Sequence, residues 1–211
     1  MRALPDRLLL VTDRHLCVRD LPSVVQDAVG AGVRWVWFRD KDLAGPERLA
    51  LARAVQDAVA GRAALSIGSD VALSVALGLS AVHLPMSADL ESARARLGPG
   101  ALIGLSAHSL ADVARARVKG ADYVTLSPIF ASASKPGYGP ALGVASLAAA
   151  RAVGLPVVAL GGMMPEMAGS AMAAGASAIA VMGGIFRTDD LAGNVRAYKA
   201  MLDGDNCFGS L

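Results

Sequence analysis

The stretches Val157-Val158-Ala159-Leu160-Gly161-Gly162 and Ala178-Ile179-Ala180-Val181-Met182-Gly183-Gly184 each join a short apolar run to a pair of glycines. Apolar runs of about four or five residues are typical of strands in a parallel sheet that is buried on both faces. An amphipathic, helix-like stretch separates the two runs and completes a strand–helix–strand unit. The two stretches therefore predict a parallel α/β fold.

Six further apolar runs precede these two and repeat the same alternation. The eight predicted strands are 8–12, 35–39, 64–67, 81–84, 102–106, 123–127, 157–160 and 178–181. Eight strand–helix units in one domain favour a closed (β/α)8 barrel, a TIM barrel, over an open doubly wound sheet, which is the alternative. The barrel is expected to span residues 1–202, and residues 203–211 are expected to form a flexible tail.

Composition excludes several classes of protein. The chain has 211 residues, of which 54% are hydrophobic, and a net charge of +2. No dense cluster of basic residues with interleaved aromatic residues indicates nucleic-acid binding, and no apolar run is long enough to span a membrane. The two cysteines, Cys17 and Cys207, are typical of a reduced, cytoplasmic protein.

The glycine pairs at the ends of the last two runs predict a phosphate site. In eightfold barrels the loops after strands seven and eight often bind phosphate through backbone N–H groups. Glycine also permits close approach of the backbone and positive φ angles. Gly162, Gly183 and Gly184 are therefore candidate phosphate-binding residues, and the alternative is that these glycines only allow tight turns.

A second candidate group, Trp37-Phe38-Arg39-Asp40-Lys41, follows the second predicted strand. Alternation along a strand places Trp37, Arg39 and Lys41 on one side, toward the mouth of the barrel. Two cations at that place favour a phosphate or pyrophosphate ligand. The alternative is a solvated rim with local ion pairs.

The segment 127–140, after the sixth predicted strand, is rich in Ser, Gly and Pro and carries Lys135. This composition is typical of an active-site lid with hydrogen-bond donors, and a plain flexible loop is the alternative. Ser106, at the end of the fifth strand, is expected to face the same opening. His83 is expected to be a packed histidine inside a strand, whereas His108 could cap a helix or orient a ligand.

Taken in order, these motifs resemble the thiamine-phosphate synthase/TenI family over nearly the whole chain. Single motifs of this kind are weak, but the ordered set is specific. The segments that carry the resemblance are 10–13, 37–41, 104–109, 120–124, 127–135, 156–162 and 180–186.

The resemblance implies a role for each candidate residue. Synthases of this family join a pyrimidine pyrophosphate to a thiazole phosphate, with Mg²⁺ and loss of pyrophosphate. The implied contacts are Arg39, Lys41, Ser106 and Lys135 for the pyrophosphate, Ser132 and Ser134 for the thiazole, and Gly162, Gly183 and Gly184 for the thiazole phosphate.

The chain departs from the synthase pattern at the places implied for the metal. Ser69 and Ala88 stand where synthases carry acidic residues, and the neighbouring Asp70 and Asp89 are only weak candidates for metal ligands. Mg²⁺ is therefore expected only if the chain is a synthase. Trp37 also replaces the glutamine of the family motif, and its indole would fill space that a pyrimidine needs.

Three functions stay open, and a TenI-like thiazole tautomerase is placed first. That isomerisation needs an acid or base but no cofactor, and His108 and Lys135 are the catalytic candidates. Pro128 stands at the place of the TenI catalytic histidine. The alternatives are a divergent Mg²⁺-dependent thiamine-phosphate synthase and a non-catalytic phosphate-binding or regulatory protein. The expected partner is a small phosphorylated substrate, namely a thiazole phosphate, and a homodimer is left open.

Overall fold

The computed structural model describes residues 2–131, 140–186 and 190–204. Its eight strands are all parallel and close into a barrel in the order β1 to β8, with β8 paired to β1. The strands are β1 Leu8–Val11, β2 Trp35–Phe38, β3 Ala64–Gly68, β4 Ala81–Leu84, β5 Leu102–Ala107, β6 Tyr123–Leu126, β7 Val157–Leu160 and β8 Ala178–Val181. This closure confirms the predicted single-domain (β/α)8 barrel and excludes the open sheet.

Helices follow the strands and cover the outside of the barrel. After a 3-10 turn at Arg14–Leu16 they are α1 Leu21–Gly30, α2 Gly45–Val59, α3 Val71–Ala76, α4 Leu90–Leu97, α5 Leu110–Val118, α6 Ala145–Arg151, α7 Pro165–Ala173, α8 Gly183–Phe186 and α9 Leu191–Asp203. Asp20, Asp89 and Ser109 each accept a hydrogen bond from a backbone N–H of the first turn that follows, which fixes where α1, α4 and α5 begin. No helix in the described part of the chain is long and apolar enough to span a bilayer. Helix α9 includes Asp203, so the expected tail could begin no earlier than 204.

Several strand ends differ by one residue from the prediction. Strands β1 and β2 stop before Thr12 and Arg39, where the Arg39 N–H donates to the Thr12 hydroxyl instead of to a neighbouring strand. Strand β6 ends at Leu126, and β3 and β5 each run one residue longer than predicted, to Gly68 and Ala107.

Alternation along the strands divides the core into two layers. Side chains such as Leu8 and Leu10 point outward and pack beneath the helices, whereas Leu9 and Val11 point into the barrel. The interior is filled by aromatic side chains from β2 and β6. Trp35 and Tyr123 meet edge to face with ring centroids 5.0 Å apart, so the lower barrel is a packed core, and ligand space is left only at its mouth.

We expect Gly104→Ala to destabilise the fold. A Cβ at Gly104 would overlap the Tyr123 ring and lie 2.6 Å from His83 Nδ1. Overpacking of this kind typically costs about 1–3 kcal/mol of unfolding free energy. Urea denaturation measures the loss, and Gly100→Ala is the matched control because nothing lies within 4 Å of a Cβ there. Equal stability of the two variants would contradict this packing.

Candidate active site

A cavity of about 880 Å³ opens at the carboxyl ends of the strands. Every strand or the loop that follows it contributes to its lining, and residues of α7, α8 and α9 complete it. Its polar and glycine lining includes Arg39, Lys41, Ser69, His83, Ser106, His108, Thr125, Ser127, Gly161, Gly162, Gly183, Gly184 and Asn194. This is the end of a (β/α)8 barrel at which active sites are found.

The loops after β7 and β8 form one wall of the cavity, and we call the backbone at 161–162 and 183–184 the glycine cradle. Gly162 has a φ of +62°, and a Cβ there would overlap the Ala131 carbonyl. A Cβ at Gly184 would overlap the Tyr198 hydroxyl. Within the described residues, the N–H groups of Gly183 and Gly184 donate to no backbone carbonyl, as is usual at the start of a helix. The cradle therefore offers free amide donors to a ligand.

Helix α9 holds the two halves of the cradle. The Asn194 side chain donates to the Gly184 carbonyl, and the Tyr198 hydroxyl donates to the Met163 carbonyl over 2.8 Å. Asn194 also lines the cavity. Sequence reasoning missed both side chains, since they lie on the last helix and belong to no motif that signals a site.

The cation pair, Arg39 and Lys41, lines the cavity beside Trp37, as alternation predicts. Asp40, between the two cations, is instead buried. It accepts hydrogen bonds from the Thr12 hydroxyl over 2.5 Å and from the Arg14 N–H over 2.8 Å. Asp40 thus anchors the start of the loop after β2 and leaves Arg39 and Lys41 facing the cavity.

Trp37 and Gly68 depend on each other. The Trp37 indole is 7% exposed, and its ring centroid lies 4.0 Å from that of His83. Its Nε1 is buried without a hydrogen-bond partner among the described residues, and a Cβ at Gly68 would lie 2.7 Å from it. The indole therefore occupies space that any larger residue at 68 would need.

His83 lies at the floor of the cavity, fully buried. Its Nδ1 is 3.1 Å from the Tyr123 hydroxyl, and its Nε2 is 3.1 Å from Ser106 Oγ and 3.2 Å from Thr125 Oγ1. Burial lowers the pKa of His83 from 6.5 to about 3, so the ring is neutral near pH 7. The packed histidine expected from the sequence is thus hydrogen-bonded on both nitrogens, and it also fixes the Ser106 hydroxyl at the cavity surface.

His108 is exposed at the rim, on the loop that leads into α5. Its Nδ1 lies 2.9 Å from the Ser127 carbonyl oxygen, and its backbone N–H donates to Asp112. The neighbouring Ser109, not His108, caps α5. His108 therefore lines the cavity, oriented by the end of β6.

Three further candidates, Ser132, Ser134 and Lys135, lie outside the described residues. Their proposed contacts with the pyrophosphate and the thiazole stay predictions. Ala131, immediately before them, lines the cavity.

The described residues do not fit a resident Mg²⁺ ion. Asp70 accepts from the Leu73 N–H and caps α3, and Asp89 accepts from the Ser92 N–H and caps α4. Neither carboxylate lines the cavity, where Ser69 stands instead. Within residues 2–131, 140–186 and 190–204, no three His, Cys, Asp or Glu side chains come together as a metal site.

Comparisons with a family model and with curated relatives point to the same family. The model of the family described as "Thiamine monophosphate synthase" matches residues 8–185. A thiamine-phosphate synthase of Azorhizobium caulinodans is 36% identical over 200 residues, which cover 93% of this chain and 94% of the relative. A thiamine-phosphate synthase of Chromobacterium violaceum is 39% identical over 193 residues, covering 90% of this chain and 93% of the relative.

A solved structure matches the fold. The thiamine phosphate pyrophosphorylase from Pyrococcus furiosus gives a TM-score of 0.82, covering 94% of this chain and 96% of that one. At 23% sequence identity, this likeness shows the barrel alone.

We expect the buried, neutral His83 to make stability depend on pH. Between pH 6.5 and about 3 the unfolded chain binds a proton that folded His83 does not. The free energy of unfolding should therefore fall as the pH is lowered through this window, by up to about 1.4 kcal/mol per pH unit from this group. Urea denaturation of wild type and His83→Gln from pH 7 to 4.5 measures the difference, because glutamine keeps polar contacts but does not titrate. Parallel pH profiles would contradict the buried neutral ring.

Proposed function

Because the chain belongs to the thiamine monophosphate synthase family, we propose that it joins a pyrimidine pyrophosphate to a thiazole phosphate and releases pyrophosphate. The two relatives described above, each matched over at least 90% of this chain, are named thiamine-phosphate synthases. The comparisons thus support the synthase alternative better than the thiazole tautomerase that sequence analysis placed first.

The observation that carries the proposal is that one cavity contains two separate groups for binding anions. The cation pair follows β2, whereas the glycine cradle follows β7 and β8, and β1 stands between them in the closed sheet. A reaction with two phosphorylated substrates needs two such groups. We assign the pyrophosphate to Arg39 and Lys41, and the thiazole phosphate to the amides of Gly162, Gly183 and Gly184.

The side chains around the cavity can support departure of the pyrophosphate. As its bond to the pyrimidine breaks, the pyrophosphate gains negative charge, which the fixed cations stabilise electrostatically. Ser106, held by the neutral His83, offers a further hydroxyl donor. The thiazole then takes the place of the pyrophosphate on the pyrimidine. Lys135, from the segment outside the described residues, is predicted to add a third cation.

A thiazole tautomerase is the second candidate, favoured by one observation. His108 lines the cavity and supplies an imidazole, while no carboxylate lies among the described lining residues. Proton transfer within a thiazole phosphate requires an acid or base, which His108 would provide.

A cytoplasmic location and a homodimer stay predictions.

The test of the proposal is product formation. Purified protein is incubated with the pyrimidine pyrophosphate and the thiazole phosphate, and thiamine phosphate and pyrophosphate are measured by mass spectrometry and ³¹P NMR. We expect both products in equal amounts, and none when either substrate is omitted. Conversion of a thiazole phosphate carboxylate alone, with no joined product, would instead identify the tautomerase. Binding without turnover of any substrate would contradict both enzymes.

We also expect Lys41→Ala to weaken pyrophosphate binding more than thiazole phosphate binding. Loss of one charged contact should raise the Kd for pyrophosphate roughly three- to tenfold, because the exposed ammonium is partly screened by solvent. Lys135→Ala is predicted to act in the same direction. Calorimetry with each ligand makes the comparison, and Lys199→Ala is the control because that ammonium lies 3.4 Å from Asp6, before β1. Equal losses for both ligands would reject this assignment.

A further inference from the structure

The described lining of the cavity contains four ionisable side chains, and none of them is acidic. They are Arg39, Lys41, His83 and His108. We propose that this cavity binds pyrophosphate as the metal-free anion, held directly by its cations and not through a Mg²⁺ ion. The inference rests on the pyrophosphate site of the proposed function.

The carboxylates near the cavity are already engaged elsewhere. Asp13 lies 3.7 Å from the Arg39 guanidinium and accepts from the His15 N–H. Asp40 is 3% exposed and is bonded to Thr12 and Arg14. Each of these carboxylates thus contacts protein groups, and neither is among the residues that line the cavity.

Asp70 and Asp89, the carboxylates nearest in sequence to the implied metal places, are also engaged. Each caps a helix, and the Asp70 carboxylate additionally lies 3.5 Å from an Arg48 guanidinium nitrogen. Moving either one to a metal would leave the N-terminus of its helix without a side-chain cap and would destabilise that helix.

The positive charge of the lining favours binding of free pyrophosphate over binding of its Mg²⁺ complex. Mg²⁺ is usually held by one or two carboxylates together with the phosphate oxygens. Here it would enter a positively charged site and would compete with Arg39 and Lys41 for the same oxygens. Free Mg²⁺ should therefore withdraw pyrophosphate from the protein by mass action.

Ser69 is the position at which a single carboxylate would change this behaviour. It lines the cavity, has a φ of +58°, and its N–H donates to the His83 carbonyl over 2.9 Å. Aspartate and asparagine adopt left-handed conformations more readily than most residues. Either residue can therefore replace Ser69 with its backbone unchanged, and the two replacements have nearly the same shape but differ in charge.

The experiment is calorimetric titration of the wild-type protein with inorganic pyrophosphate, in EDTA and in excess Mg²⁺ at equal ionic strength. We expect the Kd to rise about fivefold or more in Mg²⁺. A Kd that is unchanged or lower in Mg²⁺ overturns the inference and leaves the synthase proposal standing. Absence of binding in both buffers overturns the inference together with the pyrophosphate site of the proposed function.

A pair of variants tests the same inference by asking whether a carboxylate at position 69 changes the effect of Mg²⁺ on pyrophosphate binding. For Ser69→Asp, Mg²⁺ should raise the Kd for pyrophosphate much less than in the wild type, or should lower it, because aspartate supplies the missing carboxylate. Ser69→Asn, its uncharged match, should behave like the wild type. Equal responses of the two variants to Mg²⁺ would contradict the role assigned to the missing charge.

Discussion

The hydrogen bonding of β8 back to β1 is the constraint on which the rest of the molecule depends. Because all eight strands are parallel and the sheet has no edge, every strand ends on the same rim. Residues far apart in the sequence, such as Arg39 and Gly183, therefore line a single cavity. An open sheet of the same units would have separated them.

Packing inside the barrel determines how deep the cavity reaches. Trp35 and Tyr123 fill the lower interior, and the missing side chain of Gly104 leaves space for the Tyr123 ring. His83 and Trp37 form the layer above, which is the floor of the site. Because Trp37 excludes a larger residue at 68, the shape of this floor depends on the close contact between Trp37 and Gly68.

Much of the fold could be predicted from the sequence, because short apolar runs and the glycines after them depend mainly on local pattern. The end of β2 could not be predicted to the residue, because the Arg39 N–H donates to the Thr12 hydroxyl instead of to a neighbouring strand. Alternation along β2 correctly predicted that Arg39 and Lys41 face the cavity. The burial of Asp40 and the contribution of Asn194 depend on tertiary contacts that no local pattern encodes.

The central claim is that the glycine cradle, not the cation pair, holds the phosphate of the thiazole substrate. The most direct measurement is a crystal structure of the protein soaked with the thiazole phosphate. The account predicts phosphate oxygens within hydrogen-bond distance of the amides of Gly162, Gly183 and Gly184. A phosphate bound at Arg39 and Lys41, with the cradle amides facing only water, would contradict it.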